Sequence, residues 1–458
     1  MPILDDGKSM TVCTGGSGGC LESPQRTMIG YAVRCNIFLP MTAMNHSPVA
    51  ICQRLHQVRY EIRGELARRA RELEAEGREL IKLNIGNPGA FGFRAPDHIG
   101  RAIAERIDET DAYCHQQGLP EAREAIAALH RSRGVAGVGP ERVFVGNGVS
   151  ELIGLALRAL LNPGDEVLLP SPDYPLWSAA TILNDGQPVY YRCPADSGFL
   201  PDPDAIEAAI GPRTRALVVI NPNNPTGASY PRDLLERLVA IAARHRLLLL
   251  SDEIYDGILY DDADFQPLAP LAGEVPCLSF GGLSKVHRAC GWRVGWAVLT
   301  GAPVRIGEYH HALDLLGALR LCANVPGQTA VTAALAGPDT ITPLCRPGGR
   351  LHETRRVVIE RCRDSAFLDL VAPDAALYAF PSVRGDRVPA FDDHHFALDL
   401  LERENLLIVP GSSFNLSERN HFRITLLPDA ATMAIVFDRI ERALQRWAGS
   451  CAEARSVA

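Results

Sequence analysis

Short, uninterrupted apolar runs alternate with helical stretches through the middle of the chain. The runs lack period-two alternation, which is typical of strands that are buried on both faces. The predicted strands are 142–145, 166–170, 188–192, 216–220, 247–251, 277–280 and 295–299. Helices are predicted between several of them, over 149–161, 204–209 and 232–244. This alternation predicts an α/β fold with a largely parallel sheet.

The pattern differs on both sides of this block. Before it, six apolar residues share one helical face and Gly77 predicts the end of that helix, followed by a short strand over 80–85. The six are Leu55, Val58, Ile62, Leu66, Ala70 and Leu73. After it, helices over 350–363, 392–404 and 430–447 accompany strands over 377–380 and 421–426. This last block predicts a smaller α+β domain.

The first 50 residues show no period and contain the run Gly15–Gly19 of glycines around one serine. Asp5 and Asp6 stand where a secretory signal peptide needs basic residues. Two interpretations stay open. Either 1–50 is a disordered extension, or the start codon is assigned too early and the natural start is Met44.

Composition excludes several classes of protein. With 47% hydrophobic and 22% charged residues, the 458-residue chain is typical of a folded protein. A net charge of −8 argues against nucleic acid as a partner, and the apolar runs are too short to predict a membrane span. The 12 cysteines form no C-x-x-C pair, so we expect reduced, mostly buried thiols, no metal site and a cytoplasmic location.

Lysine is scarce in this chain. Of 46 basic residues only Lys8, Lys82 and Lys285 are lysines. Arginine keeps its proton in proteins, whereas lysine can become a free amine and form a Schiff base. The scarcity itself is consistent with a simple coding bias, but it directs attention to the surroundings of each lysine.

Lys285 lies just past the predicted strand 277–280, and three other strands are followed by polar or small residues. Strand 142–145 runs into Gly146-Asn147-Gly148-Val149-Ser150, which favours an anion at a helix N-terminus. Strand 216–220 ends in the heptad 221–227, NPNNPTG. In parallel sheets such strand ends form the ligand-binding edge.

The third of these strands is four leucines followed by Ser251 and Asp252. A carboxylate at the rim of an apolar sheet needs a cationic partner, and a protonated pyridine nitrogen is one. Simpler interpretations exist for each loop: a tight glycine turn, a rigid Asn-Pro turn and a helix N-cap. Together, however, a phosphate cradle, a ring acid and a lone lysine indicate a pyridoxal 5′-phosphate site.

With these motifs the chain resembles the class I (fold type I) aminotransferases, and among them the bacterial glutamate–pyruvate (alanine) aminotransferases. The similarity covers residues 52–447. It rests on 83–88 (LNIGNP), 173–177 (DYPLW), 221–227, 251–255 (SDEIY), 320–322 (RLC), 326–328 (PGQ) and 422–425 (FRIT). The resemblance implies a large domain with a mostly parallel seven-stranded sheet over 91–335. A smaller α+β domain is formed by 336–450 together with an N-terminal arm over 51–90.

The resemblance also implies the role of each site residue. Lys285 forms the Schiff base with the cofactor and moves the proton, and Asp252 and Tyr255 complete the catalytic set. The implied cofactor-binding residues are Tyr113, Val149, Ser150, Tyr174, Asn224, Asp252, Tyr255, Ser284, Lys285 and Arg293. The implied substrate-binding residues are Gly86, Asn87, Asn224 and Arg423, where Arg423 holds the α-carboxylate of the substrate bidentately.

The implied reaction is ping-pong transamination between an L-amino acid, alanine or glutamate, and a 2-oxoacid, pyruvate or 2-oxoglutarate. Tyr113 matches a tyrosine that reaches the phosphate in the neighbouring subunit, so a homodimer with shared active sites is expected.

Two positions differ from this pattern or have no assigned role in it. Gly282 replaces a serine that many relatives use for phosphate, and Arg320 is a candidate for the second carboxylate of a dicarboxylic substrate, although a structural role is the simpler interpretation.

Several alternatives remain open at this point. The donor could be aspartate, an aromatic or a branched-chain amino acid, and a C–S β-lyase of the same fold would keep Lys285, Asp252 and Arg423. A pyridoxal-phosphate-sensing transcription regulator would need a basic helix-turn-helix module, for which the extension is too short and too little basic. A nicotinamide dehydrogenase would need a G-x-G-x-x-G motif after an early strand, and the sequence lacks it.

Overall fold

The seven predicted strands of the middle block pair into one sheet in the computed structural model, which describes residues 49–59 and 64–456. They are β2 (Val143–Gly146), β3 (Glu166–Ser171), β4 (Gln187–Arg192), β5 (Thr214–Ile220), β6 (Leu248–Asp252), β7 (Cys277–Gly282) and β8 (Gly295–Thr300). Their order across the sheet is β2-β8-β7-β6-β5-β3-β4. The pairs from β4 to β7 are parallel, and β8 runs antiparallel to both β7 and β2. The predicted α/β class with a mostly parallel sheet is confirmed.

Helices cover both faces of this central sheet, which explains why its strands are buried and largely apolar, except for the partly exposed edge strand β4. One face packs on α2 (Asp97–Arg106), α3 (Pro120–Ser132), α7 (Arg232–His245), α8 (Leu268–Ala272) and α11 (Ala330–Ala336). The other face packs on α4 (Val149–Leu160), α5 (Pro175–Leu183) and α9 (Pro303–Leu319). Two short helices, α6 (Pro203–Ala208) and α10 (Val325–Gln328), lie in the connections.

A separate hydrophobic core lies beneath the elements from both chain ends, here called the C-terminal layer. Its helices are α1 (Glu65–Ala75), α12 (Thr342–Cys345), α13 (Arg350–Asp364), α14 (Asp393–Glu404) and α15 (Ala430–Ser456). Its short strands are β1 (Ile81–Lys82), β9 (Leu368–Asp369), β10 (Tyr378–Ala379), β11 (Ser382–Val383), β12 (Leu406–Leu407), β13 (Val409–Pro410) and β14 (Phe422–Thr425). Strand β1 pairs in parallel with β12, which ties the N-terminal segment to this layer.

The predicted N-terminal helix is only partly correct. Leu66, Ala70 and Leu73 lie buried on α1 as expected, and Gly77 follows its end with φ +87°. Leu55, however, belongs to a separate 3-10 turn and is exposed. The predicted place of Ile62 on this helical face and the extension up to residue 48 lie outside the described residues.

The helices that the sequence analysis did not predict include α2, α3, α5 and α9. Helix α9 spreads its apolar residues around all faces, so it gives no amphipathic signal. Val304, Leu315 and Leu319 are exposed on it. The described residues from 52 onward form one compact unit, and the division into a large and a small domain remains a prediction. Within the described residues, no helix is long and apolar enough to cross a membrane.

Candidate active site

A cavity of about 710 Å³ opens where β5, β6 and β7 end and where α4 begins. It is lined by every predicted site residue except Tyr113. These are Gly86, Asn87, Val149, Ser150, Tyr174, Asn224, Asp252, Tyr255, Ser284, Lys285, Arg293 and Arg423. Residues that are more than 300 positions apart in the sequence therefore share one cavity, with contributions from the central sheet and from the C-terminal layer.

Lys285 follows β7 and points its amine into this cavity. Its Nζ donates a hydrogen bond of 2.6 Å to the backbone oxygen of Gly86 and lies 4.0 Å from the Cys290 sulfur. Lys82, by contrast, lies at the surface and pairs with Glu74 at 2.5 Å. Of these two lysines, Lys285 is therefore the one placed for chemistry on a bound ligand.

Asp252 is the last residue of β6 and is 3% exposed. Its Oδ2 accepts a hydrogen bond of 3.1 Å from the indole Nε1 of Trp177. Burial raises the pKa of Asp252 to about 6, while the Trp177 hydrogen bond and the positive charge of Lys285 act in the opposite direction. A further cation beside this carboxylate would favour its charged form.

Arg423, on β14, is buried within the cavity wall with 2% exposure. Its Nη1 donates to Oδ1 of Asn224 at 2.9 Å, and its Nη2 donates to the backbone oxygen of Asn84. The guanidinium lies over the rings of Tyr378, at 4.3 Å, and Phe414, at 4.8 Å. These contacts fix the orientation of the guanidinium in the cavity wall.

Tyr255 and Tyr378 form a buried pair whose hydroxyl oxygens are 2.9 Å apart. Burial raises the pKa of Tyr255 well above its ordinary value of 10, so it remains a phenol that can donate. A Cβ at position 86 would come within 2.2 Å of the Tyr378 hydroxyl, which explains the glycine there. Tyr378 was not among the predicted site residues, because the predicted strand 377–380 gave no indication of which residue would face a site.

The N-terminus of α4 forms a cradle together with two glycines and an arginine. Gly148 precedes the helix with φ +87°, and a Cβ on it would lie 2.3 Å from Nη2 of Arg293. A Cβ on Gly295 would lie 2.5 Å from the backbone nitrogen of Val149. Arg293 is itself held by hydrogen bonds to the backbone oxygens of Asn147 and Cys290. Only residues without a Cβ permit this close approach, and a helix N-terminus of this kind favours the binding of an anion.

The structure shows the surroundings of three further positions that the sequence singled out. Tyr113 lies outside the cavity and is 78% exposed. Arg320 also lies outside it and bonds Glu151 at 3.1 Å and the backbone oxygen of Val145 at 2.7 Å, which favours the structural interpretation. A Cβ at Gly282 would approach the Val294 backbone oxygen to 2.8 Å, so a serine has no room there.

The cavity fits the cofactor that the sequence motifs imply. A cradle that a Cβ would fill, with an arginine beside it, suits a phosphate at one end. Burial raises the pKa of the Asp252 carboxyl, and a protonated ring nitrogen is a cation that would stabilise its charged form. The Lys285 amine can react with the aldehyde of the cofactor. The donor set thus matches pyridoxal 5′-phosphate, and Arg423 lines the same cavity.

Comparisons with known proteins agree with this geometry. Residues 78–440 match the model of the family aminotransferase class I and II. The chain is 45% identical to the glutamate-pyruvate aminotransferase AlaA of Escherichia coli K12, over 87% of this chain and 98% of that protein. It is equally 45% identical to an alanine aminotransferase of Mycobacterium bovis, over 84% of this chain and 90% of that protein.

Solved structures show the same similarity. A crystal structure of an aminotransferase from Escherichia coli aligns with a TM-score of 0.86 and 45% identity, covering 87% of this chain and 99% of that one. An alanine aminotransferase from Pyrococcus furiosus aligns with a TM-score of 0.82 and 36% identity, covering 87% of this chain and all of that one. The chain belongs to the class I and II aminotransferases and is a pyridoxal-phosphate-dependent enzyme of fold type I.

Proposed function

We propose that this aminotransferase exchanges amino groups between L-alanine and 2-oxoglutarate, and between L-glutamate and pyruvate in the reverse direction. The observation that carries the proposal is the joint placement of Lys285, Asp252 and the buried Arg423 around one cavity. The names of the 45% identical relatives, glutamate-pyruvate and alanine aminotransferases, support the choice of substrates.

Pyridoxal 5′-phosphate, when bound, supplies an electron sink for the amino acid. The first turn of α4, through Val149 and Ser150, together with Ser284 and Arg293 would hold its phosphate. The Tyr174 ring would cover one face of the cofactor. Asp252 would hold a positive charge at the ring nitrogen.

The remaining side chains would act on the cofactor hydroxyl and on the substrate. Asn224 and Tyr255 present an amide and a phenol to the cavity near Arg423. Gly86 and Asn87 line the substrate side, where the guanidinium of Arg423 would bind the α-carboxylate. The amine of Lys285, once released, would carry the proton from and to the substrate α-carbon.

The test of substrate choice is a panel of amino donors against both 2-oxoacids. We expect the highest kcat/KM for L-alanine with 2-oxoglutarate and for L-glutamate with pyruvate. A ten-fold preference for aspartate, an aromatic or a branched-chain donor would overturn the proposed specificity. A C–S β-lyase would release ammonia and thiol from a cysteine conjugate without added 2-oxoacid, whereas we expect an absolute requirement for the oxoacid.

We also propose a cytoplasmic homodimer with shared active sites. Tyr113 is 78% exposed, and the exposed apolar residues of α9 include Val304 (93%) and Leu319 (75%). Leu321, just past the helix, is 53% exposed. Large apolar side chains in contact with water at this density are typical of a surface that a partner covers, and a second copy would bring Tyr113 to its neighbour's phosphate.

A further inference from the structure

Trp177 is a buried residue that no part of the proposed mechanism uses. It lies on α5, three residues after Tyr174, and none of its surface is exposed. Its indole Nε1 donates to Oδ2 of Asp252 at 3.1 Å, and Oδ1 of the same carboxylate accepts a longer bond of 3.4 Å from the Ile254 backbone nitrogen. The indole therefore makes the closer of the two contacts to the acid.

The indole ring has a fixed position. It meets the ring of Phe280 edge-on, with centroids 5.5 Å apart and planes at 78°. Phe280 lies on β7 directly opposite Asp252 in the sheet register. The Trp177 backbone is also held, since its nitrogen bonds the Tyr174 oxygen and its oxygen accepts from the Thr181 hydroxyl. Helix α5 and the central sheet thus aim the N–H at the carboxylate.

The chemistry of this donor is distinctive. An indole N–H donates one hydrogen bond, accepts none and does not titrate in water. It therefore favours the charged form of Asp252 at every pH at which the fold exists. Lys285, in the loop after β7, is the charged side chain that also acts on Asp252. In the proposed function, however, its amine binds the cofactor and transfers the proton.

From this geometry we propose that Trp177 is a positioning residue that fixes the orientation and charge of the Asp252 carboxylate toward the ring nitrogen of the cofactor. The proposal rests on the cofactor site of the proposed function and is independent of the amino acid that the enzyme uses. Trp177 touches neither substrate nor cofactor in this role, because it acts through Asp252.

The test compares two cofactors on the apoenzyme. Pyridoxal 5′-phosphate has the ring nitrogen, and its 1-deaza analogue has a carbon there. Because a hydrogen bond to a charged group contributes roughly 1.5–3 kcal/mol, Trp177→Phe should raise the dissociation constant of pyridoxal 5′-phosphate at least about ten-fold. The dissociation constant of the analogue should rise less than about two-fold, since it offers Asp252 no cation.

Trp296→Phe is the matched control, because Trp296 is a buried tryptophan of β8 next to Gly281 and away from α5. It should change neither dissociation constant by more than about two-fold. An equal loss for both cofactors in Trp177→Phe would reduce Trp177 to a packing residue and overturn the proposal. Wild-type apoenzyme that binds neither cofactor would instead overturn the cofactor site itself.

A measurement on the unaltered protein covers the case in which Trp177→Phe does not fold. The chain has four tryptophans, so their indole N–H groups can be followed by NMR after selective ¹⁵N labelling. The Trp177 signal, identified by its proximity to Phe280, should shift with a midpoint near pH 6 in the apoenzyme as Asp252 titrates. A signal that stays constant from pH 5 to pH 8 would contradict the coupling.

Discussion

At the scale of single residues, the proposed active site depends on side chains whose close substitutes lack the required chemistry. Lys285 is the first case, because arginine keeps the charge but cannot release a proton or form a Schiff base. We expect Lys285→Arg and Lys285→Ala to lose transamination by several orders of magnitude in a coupled pyruvate assay.

The matched control for this prediction is Lys82→Arg. Lys82 is half-exposed and pairs with Glu74, a contact that arginine can also make, so activity should remain within about two-fold of the original. Retention of more than a few per cent activity by Lys285→Arg would show that another group carries the chemistry.

Arg423 gives a second residue-scale prediction. Its planar guanidinium lies over two rings and donates to Asn224, a geometry that an ammonium group cannot reproduce. Arg423→Lys should raise the KM for the amino acid by roughly 100-fold, because one bidentate charge-assisted contact is replaced by a point charge. Steady-state kinetics with alanine and, separately, titration with pyridoxal 5′-phosphate would check this, since cofactor affinity should barely change.

The sequence alone identified most residues that line the cavity but not those that support them. Lys285, Asp252 and Arg423 belong to motifs that resemble a known family. Tyr378 belongs to none of these motifs, and Trp177 belongs to the run 173–177 without a predicted role. The contacts that give them one join residues more than 70 positions apart, with Gly86 and Asp252 respectively. The sequence shows that position 282 is a glycine where many relatives have a serine. Only the structure shows that the Val294 backbone oxygen leaves no room for a side chain there.

At the scale of elements, the junction between β8 and the start of α4 sets the phosphate cradle. A Cβ on Gly295 would force the Val149 nitrogen away by about an ångström from its present position, given the 2.5 Å contact. Gly295→Ala should therefore weaken binding of pyridoxal 5′-phosphate by about 10–100-fold, because it displaces the N–H groups that meet the phosphate.

Gly154→Ala, inside α4 and with open space around it, is the control and should leave cofactor affinity unchanged while slightly stabilising the helix. Fluorescence titration of both apoenzymes measures the difference. Equal affinities for the two variants would show that the cradle adapts to the added methyl group.

Element types were predictable where burial imposed a simple pattern. All seven strands of the central sheet were expected to within two residues at each end. Six of them are buried apolar runs, as strands covered on both faces should be, whereas the edge strand β4 is only partly buried. Helix α9 was not, because exposed apolar residues such as Leu319 hide its periodicity. The misleading helix prediction around Leu55 arose from chance spacing ahead of α1.

At the scale of the whole molecule, Asp173 joins the loop after β3 to the C-terminal layer. It is fully buried and accepts a hydrogen bond of 2.9 Å from Asn415. Burial raises its pKa to about 7, far above the ordinary value near 4. Between these pH values the folded chain keeps a proton that the unfolded chain has lost, so the contribution of Asp173 to stability falls as pH rises.

Asp173→Asn removes this dependence and keeps an oxygen for Asn415. The difference in unfolding free energy between Asp173→Asn and the original protein should shift in favour of the variant by roughly 3 kcal/mol from pH 5 to pH 8. Urea unfolding of both apoproteins at the two pH values would check this. A difference that does not vary with pH would mean that Asp173 titrates near its ordinary value.

The proposed dimer predicts that a charge on α9 disrupts assembly. Leu319→Glu should yield monomers in sedimentation experiments at micromolar concentration, because an obligate apolar interface of more than about 2,000 Å² cannot bury an unpaired carboxylate cheaply. Ile435→Glu, at an exposed apolar position of α15, is the control and should stay dimeric.

Tyr113→Phe separates assembly from cofactor binding. We expect an intact dimer whose affinity for pyridoxal 5′-phosphate is about five-fold weaker, as the loss of one hydrogen bond of about 1 kcal/mol would give. A monomeric original protein with full activity would contradict the shared site.

The connection between β7 and β8 carries both Lys285 and Arg293, whereas Arg423 belongs to the C-terminal layer. In the proposed site, the residue for covalent attachment and the residue beside the phosphate therefore lie on one short segment, whereas the residue proposed for substrate binding lies more than 120 positions further along the chain. A chimera that exchanges 277–300 as a block between two relatives should keep its cofactor geometry. A crossover placed between Lys285 and Arg293 would instead combine these two residues from different proteins, and we expect it to disturb the cofactor geometry.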